Sequence, residues 1–192
     1  MAPRHTILIR TLLGATVLAM AGSATAQDAA PSTRTIVIKD VPAPLADIYR
    51  VSSSYTPSGY DVPRFVSLKF GKVNARTGPS RAHPIAYQYQ RRGLPLVVVA
   101  ETEMWRKVRD IHGDEAWVRK PALSGDRSAI ATRDTTMLAR ADSSSKPVAR
   151  VERGALLRLE ECGEAGFCRV ETESGLKGWT LRSELWGAQS VE

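Results

Sequence analysis

Cysteine is nearly absent from this chain, with two in 192 residues, Cys162 and Cys168. They lack Cys-x-x-Cys spacing, so a redox-active dithiol is not indicated. Histidine is as scarce: beyond the N-terminus only His83 and His112 occur. Neither has a Cys or His partner at metal-ligand or catalytic spacing. There is no Gly-x-Ser-x-Gly elbow, no Gly-rich phosphate loop with its Lys, and no Cys-led peptidase signature. Asp110, Asp114 and Glu115 cluster in a turn, a pattern typical of solvated loop carboxylates. No catalytic residue, metal site or cofactor is therefore expected. Long helical apolar periodicity is missing too, which points away from a helical fold.

What is present begins with a leader. Arg4, His5 and Arg10 are followed by the apolar run Thr11–Gly22 and by the small-x-small triplet Ala24-Thr25-Ala26. This is the layout of a cleavable signal peptide, with cleavage after Ala26. The run is shorter than the ~20 apolar residues of a membrane span, and no second run follows, so the mature form is expected to lack a transmembrane segment. A periplasmic or secreted location follows. In such an oxidising compartment Cys162 and Cys168 are expected to form a structural disulfide.

The mature chain is organised around a repeat. Trp105-Arg106-Lys107-Val108, a turn through Gly113, and Glu115-Ala116-Trp117-Val118 recur 62 residues later as Phe167-Cys168-Arg169-Val170, a turn through Gly175, and Lys177-Gly178-Trp179-Thr180. Each copy reads as a β-hairpin carrying large side chains on one face. Upstream, Lys72–Arg76, Ile85–Gln90 and Leu94–Ala100 read as strands, with Gly78-Pro79 and Arg92-Gly93 as turns. In the second copy Thr136–Arg140, Pro147–Val151, Ala155–Glu161 and Phe167–Glu171 follow the same order. Ala75-Arg76 is aligned with Ala139-Arg140, and Ser124–Arg133 reads as a short connection. Short helical turns close the units at Pro121–Leu123 and at Glu184-Leu185. So many short strands in about 60 residues predict a small barrel per copy.

The expected organisation is a signal peptide over 1–26, a Pro-rich disordered linker over 27–64, barrels over 65–125 and 126–187, and a tail over 188–192. The basic excess is uneven. Residues 67–125 hold eleven Lys or Arg against five Asp or Glu, and residues 126–187 hold ten of each. For an exported protein, a basic face suits anionic envelope material better than nucleic acid.

Val73-Asn74-Ala75-Arg76-Thr77-Gly78-Pro79-Ser80, Arg92-Gly93-Leu94-Pro95, Trp105-Arg106-Lys107-Val108 and Glu115-Ala116-Trp117-Val118 resemble the bacterial SH3-like (SH3b) domain. The second copy departs from the pattern, with Ala141-Asp142-Ser143 for Gly-Pro-Ser and Phe167 for Trp. The resemblance implies an all-β protein of two tandem five-to-six-stranded SH3-like barrels acting as recognition modules. It also implies peptidoglycan or an envelope protein as partner. Ligand grooves on such barrels are lined by aromatics beside the first long loop, which nominates Tyr87, Tyr89, Trp105 and Trp117. Arg91 and Arg92 flank the nearby turn and are nominated for ligand carboxylates. Tyr87 and Tyr89 share strand parity, and their hydroxyl tips favour a surface position.

Two alternatives stand beside the envelope-binding reading. One is a structural scaffold whose two barrels pack on each other, with Trp186 sealing the interface. The other is a cell-wall hydrolase accessory with residual catalysis, which would have to rest on His83 or His112.

Overall fold

The computed structural model describes Thr33–Arg34, Pro42 and residues 44–189. The leader expected over 1–26 lies outside the described residues, as do most of residues 27–43.

The two repeats fold as two copies of one antiparallel sheet topology. The first unit contains β2 (Arg64–Leu68), β3 (Val73–Arg76), β4 (Ile85–Tyr89), β5 (Pro95–Glu101), β6 (Trp105–Arg109), β7 (Glu115–Arg119) and β8 (Leu123–Ser124), with a 3-10 turn at Lys120–Ala122 before β8. A two-residue strand β1 (Thr33–Arg34) adds to its edge, parallel to β4. The second unit contains β9 (Ser128–Ala131), β10 (Thr135–Leu138), β11 (Pro147–Val151), β12 (Leu156–Cys162), β13 (Phe167–Glu171), β14 (Lys177–Leu181) and β15 (Leu185–Trp186), with a 3-10 turn at Arg182–Glu184. The first sheet runs β1-β4-β3-β7-β6-β5-β2-β8 and the second runs β11-β10-β14-β13-β12-β9-β15. Apart from β1 the orders coincide strand for strand.

The correspondence reaches single residues. Register shifts fall at Ala75/Arg76 in β3–β4 and at Met137/Leu138 in β10–β11. A second pair falls at Val98/Ala100 in β5–β6 and at Leu159/Glu161 in β12–β13. Bulges bend a strand and tighten its twist, which a short sheet needs in order to curl around a core. The turns Gly93 and Gly154 have φ of 76° and 87°, a conformation that disfavours any side chain. Each donates its N–H to the end of the first strand, to Leu68 and Ala131 respectively.

Four expectations are corrected here. The short connection Ser124–Arg133 contains β9, a strand buried along its whole length. Ile130 joins the first core, whereas Ala129 and Ala131 join the second. A strand covered on both faces shows no alternation, so periodicity did not reveal it. Each unit consequently has seven strands of its own. The partner of Ala75-Arg76 is Met137-Leu138 and not Ala139-Arg140, because Arg76 and Leu138 pair with Trp117 and Trp179. Finally, residues 44–63, placed in a disordered linker, pack on the first barrel. Ile48 and Val62 are buried in its core, Val51 bridges Val62, and the Asp47 carboxylate lies 2.7 Å from Arg109.

The two barrels share a wall. β5 begins at Pro95 and is buried on both faces through Val98. Trp186 of β15 is 1% exposed and lies edge-on to Phe65 of β2, with ring centroids 5.3 Å apart. The Ser128 hydroxyl donates to Gly93 O, and Arg91 Nη1 donates to Gly154 O at 3.2 Å. Full burial of each large apolar side chain at this seam stabilises by roughly 1.5–3 kcal/mol. The barrels therefore fold as one packed body.

Candidate binding cleft on the first barrel

Alternation along β3 sends Val73 and Ala75 into the core and leaves Asn74 and Arg76 outside. Lys72 precedes them, exposed. Next to β3 runs β7, and beyond it β6, where Trp105 stands opposite Arg119. The loop 77–84 folds back over this edge. Thr77 N–H donates to Pro84 O at 3.1 Å, and Arg76 Nη1 donates to His83 O at 2.6 Å. The His83 imidazole covers Gly78, where an added Cβ would lie 2.5 Å from the ring. The loop is thus held close, and Arg81 is carried to the same side.

Together these elements enclose a cleft of about 220 Å³, lined by Phe70, Lys72, Asn74, Arg76, Arg81, Trp105 and Arg119. Four cations line it and no carboxylate does. Phe70 is half exposed at its rim, with Lys69 Nζ 6.0 Å from its ring, and Trp105 is 8% exposed in its wall.

Charge pairing separates this cleft from an ordinary basic surface. On the same β6–β7 hairpin, Lys107 and Arg109 are neutralised by Glu115 at 2.5 and 2.8 Å, and Arg109 also meets Asp47. Burial would raise the Glu115 carboxyl, but hydrogen bonds from Lys107 and Arg109 more than offset it and hold it below the usual range. The Arg109 hydrogen bond is the main cause lowering Asp47. In contrast, Lys72, Arg81 and Arg119 have no carboxylate within salt-bridge distance among the described residues. Several uncompensated like charges against an aromatic wall create a local positive potential that favours an anionic ligand.

The second barrel has lost this arrangement. Paired register makes Asp134 the counterpart of Lys72, Thr136 of Asn74 and Leu138 of Arg76. Phe167 opposite Leu181 takes the place of Trp105 opposite Arg119. Three cations become one carboxylate and two leucines on an unchanged backbone.

The residues nominated from sequence do not converge. Tyr87 and Tyr89 do share a face, but it is the core-facing one. Tyr89 is fully buried, and Tyr87 is half-buried against the same core. Their rings meet edge-on at 5.2 Å and their hydroxyls lie 3.2 Å apart, so the polar tips hydrogen-bond to each other. Arg91 turns to the second barrel, and Arg92 lines the groove between the barrels. Trp117 is half-buried on the outer face, between Arg76 and Lys107 in register. Trp105 alone of the six lines the cleft. The cations Lys72, Arg76, Arg81 and Arg119 were not nominated. Their signal was the Lys72-x-Asn74-x-Arg76 parity, together with the loss of those residues 62 positions later.

Cys162 and Cys168 are opposite each other in β12–β13 and are bonded. Among the described residues no group of His, Cys, Asp and Glu is placed to hold a metal ion. Among the same residues no helix is long and apolar enough to cross a membrane.

The family model for the bacterial SH3 domain matches this chain twice, over residues 69–125 and 133–187, together more than half its length. No curated protein matches it. Solved structures similar to it include NlpC1 and NlpC2 from Trichomonas vaginalis, at 15% and 14% identity and a TM-score of 0.30 each. The matches cover 76% and 65% of this chain but only 51% and 48% of those proteins. The chain thus spans about half their length, and so loose a superposition carries no functional argument.

Proposed function

Since the chain belongs to the bacterial SH3 domain family, we propose that it is a non-catalytic recognition module that binds an envelope component, peptidoglycan or an envelope protein, through its first barrel. The observation that carries this is the cleft at Lys72, Arg76, Arg81, Trp105 and Arg119, whose cations have no carboxylate partner among the described residues while Lys107 and Arg109 of the β6–β7 hairpin do. Carboxylates of peptide stems, or acidic side chains of a protein, supply the missing charge. The second barrel contributes the shared wall, and its groove at β10–β11 carries Asp134 and Thr136 where the first barrel has Lys72 and Asn74. Export through the leader and the Cys162–Cys168 bridge fit a periplasmic or secreted setting.

Co-sedimentation with purified cell-wall sacculi tests this. Wild type is expected to pellet and an Arg76→Ala/Arg119→Ala variant to remain in the supernatant. Equal pelleting of the two would remove the cleft from the binding reaction. The scaffold reading draws on a different observation, the Phe65–Trp186 seam, and is compatible with one binding barrel held rigid by its neighbour.

A further inference from the structure

A second cavity of the first barrel, which shares no lining residue with the cleft, is built around an unbalanced charge. Glu101 at the end of β5 is 2% exposed at its side chain. Its Oε2 meets Arg64 Nη2 at 2.6 Å and Arg106 Nε at 2.9 Å, and its Oε1 accepts the Ser58 N–H at 3.0 Å. Two guanidiniums thus share one carboxylate, and the Arg106 side chain is only 4% exposed. Burial depresses the Arg106 guanidinium, Glu101 opposes that, and Arg64 adds to the depression.

The second barrel shows that this hairpin does not need such a cluster. Glu101 pairs with Arg106 in β5–β6 where Cys162 pairs with Cys168 in β12–β13. A buried charge left without a full complement is costly, and the same backbone closes without any. The cluster also sits beside space. Arg64, Arg106 and Lys120 line a pocket of about 500 Å³ with Tyr60, Phe65 and Leu123. The Tyr60 ring lies 5.6 Å from the Arg64 guanidinium carbon. Lys120 is exposed and has no carboxylate partner among the described residues.

We infer that this pocket binds one compact anionic group, a carboxylate or a phosphate, whose apolar remainder lies on Phe65 and Leu123. Three cations against the single Glu101 leave a charge of +2 for that group. Arg106 and Arg64 are already oriented by Glu101 and by the backbone oxygens of Thr102 and Asp61. Binding therefore costs little ordering. The N-terminal segment forms one wall through Ser58 and Tyr60, which gives its docking on the barrel a purpose.

The test is a titration of the isotopically labelled full chain with propionate and, separately, propyl phosphate, at constant ionic strength. Saturable amide shifts at Ser58, Tyr60 and Gly125 are expected for at least one probe, and the tighter probe identifies the group. Lys120→Ala, a change at an exposed side chain, is expected to weaken that affinity about tenfold, the scale of one charged hydrogen bond. Lys72→Ala removes the same charge from the other cleft and is expected to leave the titration unchanged. Saturation by neither probe, or equal weakening by both variants, would overturn the inference. Neither result touches the sacculus experiment, whose readout lies in the other cleft.

Discussion

Glu101 and Arg106 face each other across the β5–β6 hairpin at the register where Cys162 and Cys168 are bonded across β12–β13. One fold position is thus closed by a buried ion pair in the first copy and by a covalent bond in the second. The two solutions respond to different conditions, one to protons and one to reductant.

The proton-sensitive closure makes the first prediction. Burial would raise the Glu101 carboxyl, but the Ser58 N–H and the Arg64 guanidinium outweigh it and hold it below its ordinary value. A depressed carboxyl contributes stability that is fully present above the unfolded value near ~4.3 and is lost as pH falls through the folded one. Acid unfolding of the first barrel is expected in that window. Glu101→Gln leaves the buried Arg106 guanidinium and the partly exposed Arg64 without a carboxylate, which should cost about 3 kcal/mol at neutral pH. It should also flatten the acid limb of the stability curve. Urea titrations at pH 7 and pH 4 check both effects.

The reductant-sensitive closure makes the second. A bridge separated by six residues in sequence closes a short loop, and on the chain-entropy estimate it contributes about 2 kcal/mol. Cys162→Ser/Cys168→Ser is expected to lower the unfolding free energy obtained from a urea titration by that amount. Adding reductant to the wild type should reproduce the loss but leave the double variant unmoved. Without reductant the chain should show no reactive thiol even in denaturant.

These contrasts also mark how far the amino-acid pattern carries. Most strands, and the turns at Gly93, Gly113 and Gly175, could be read from alternation and glycine placement, because Val73, Ala75, Val108 and Val118 enter the core and these glycines adopt positive φ. Ser128–Ala131 could not, since small residues buried on both faces give no period. Tyr89 looked like a surface ring because its hydroxyl partner, Tyr87, sits two residues away on the same strand. The cleft was hidden for another reason. Whether a lysine or arginine is neutralised depends on partners such as Asp47 and Glu115, brought in from 62 and 6 residues away from Arg109. Composition counts the charges and does not pair them.

The shared wall makes the third prediction. Trp186 belongs to β15 yet is packed in the first core, and its indole N–H has no acceptor among the described residues. Trp186→Ala should cost about 3 kcal/mol or more and lower the stability of both barrels. Trp186→Phe keeps a ring on Phe65 and removes the unpaired N–H, so it should cost much less. Thermal unfolding followed at amides of each barrel separates the cases, since independent barrels would confine the loss to the second.

The cleft makes the last. If binding rests on cations without internal partners, it must fall as salt screens them. The Debye length shrinks from ~10 Å at 0.1 M to ~3 Å at 1 M ionic strength. Pelleting with sacculi is therefore expected to decline steeply over that range for the wild type. Arg76→Ala/Arg119→Ala should bind less at low salt and lose less on raising it, because the charges that salt screens are gone. The complementary change restores charge to the second barrel. Leu138 and Leu181 occupy the Arg76 and Arg119 positions, and Leu181 is 39% exposed, so Leu138→Arg/Leu181→Arg should be tolerated. Placed on the double-alanine background, it should recover part of the pelleting only if charge at those two positions is sufficient. Failure to recover, with the fold intact, would assign the missing part to Trp105 and the loop bearing Arg81, for which Phe167 and the serine-rich loop 141–145 are poor substitutes.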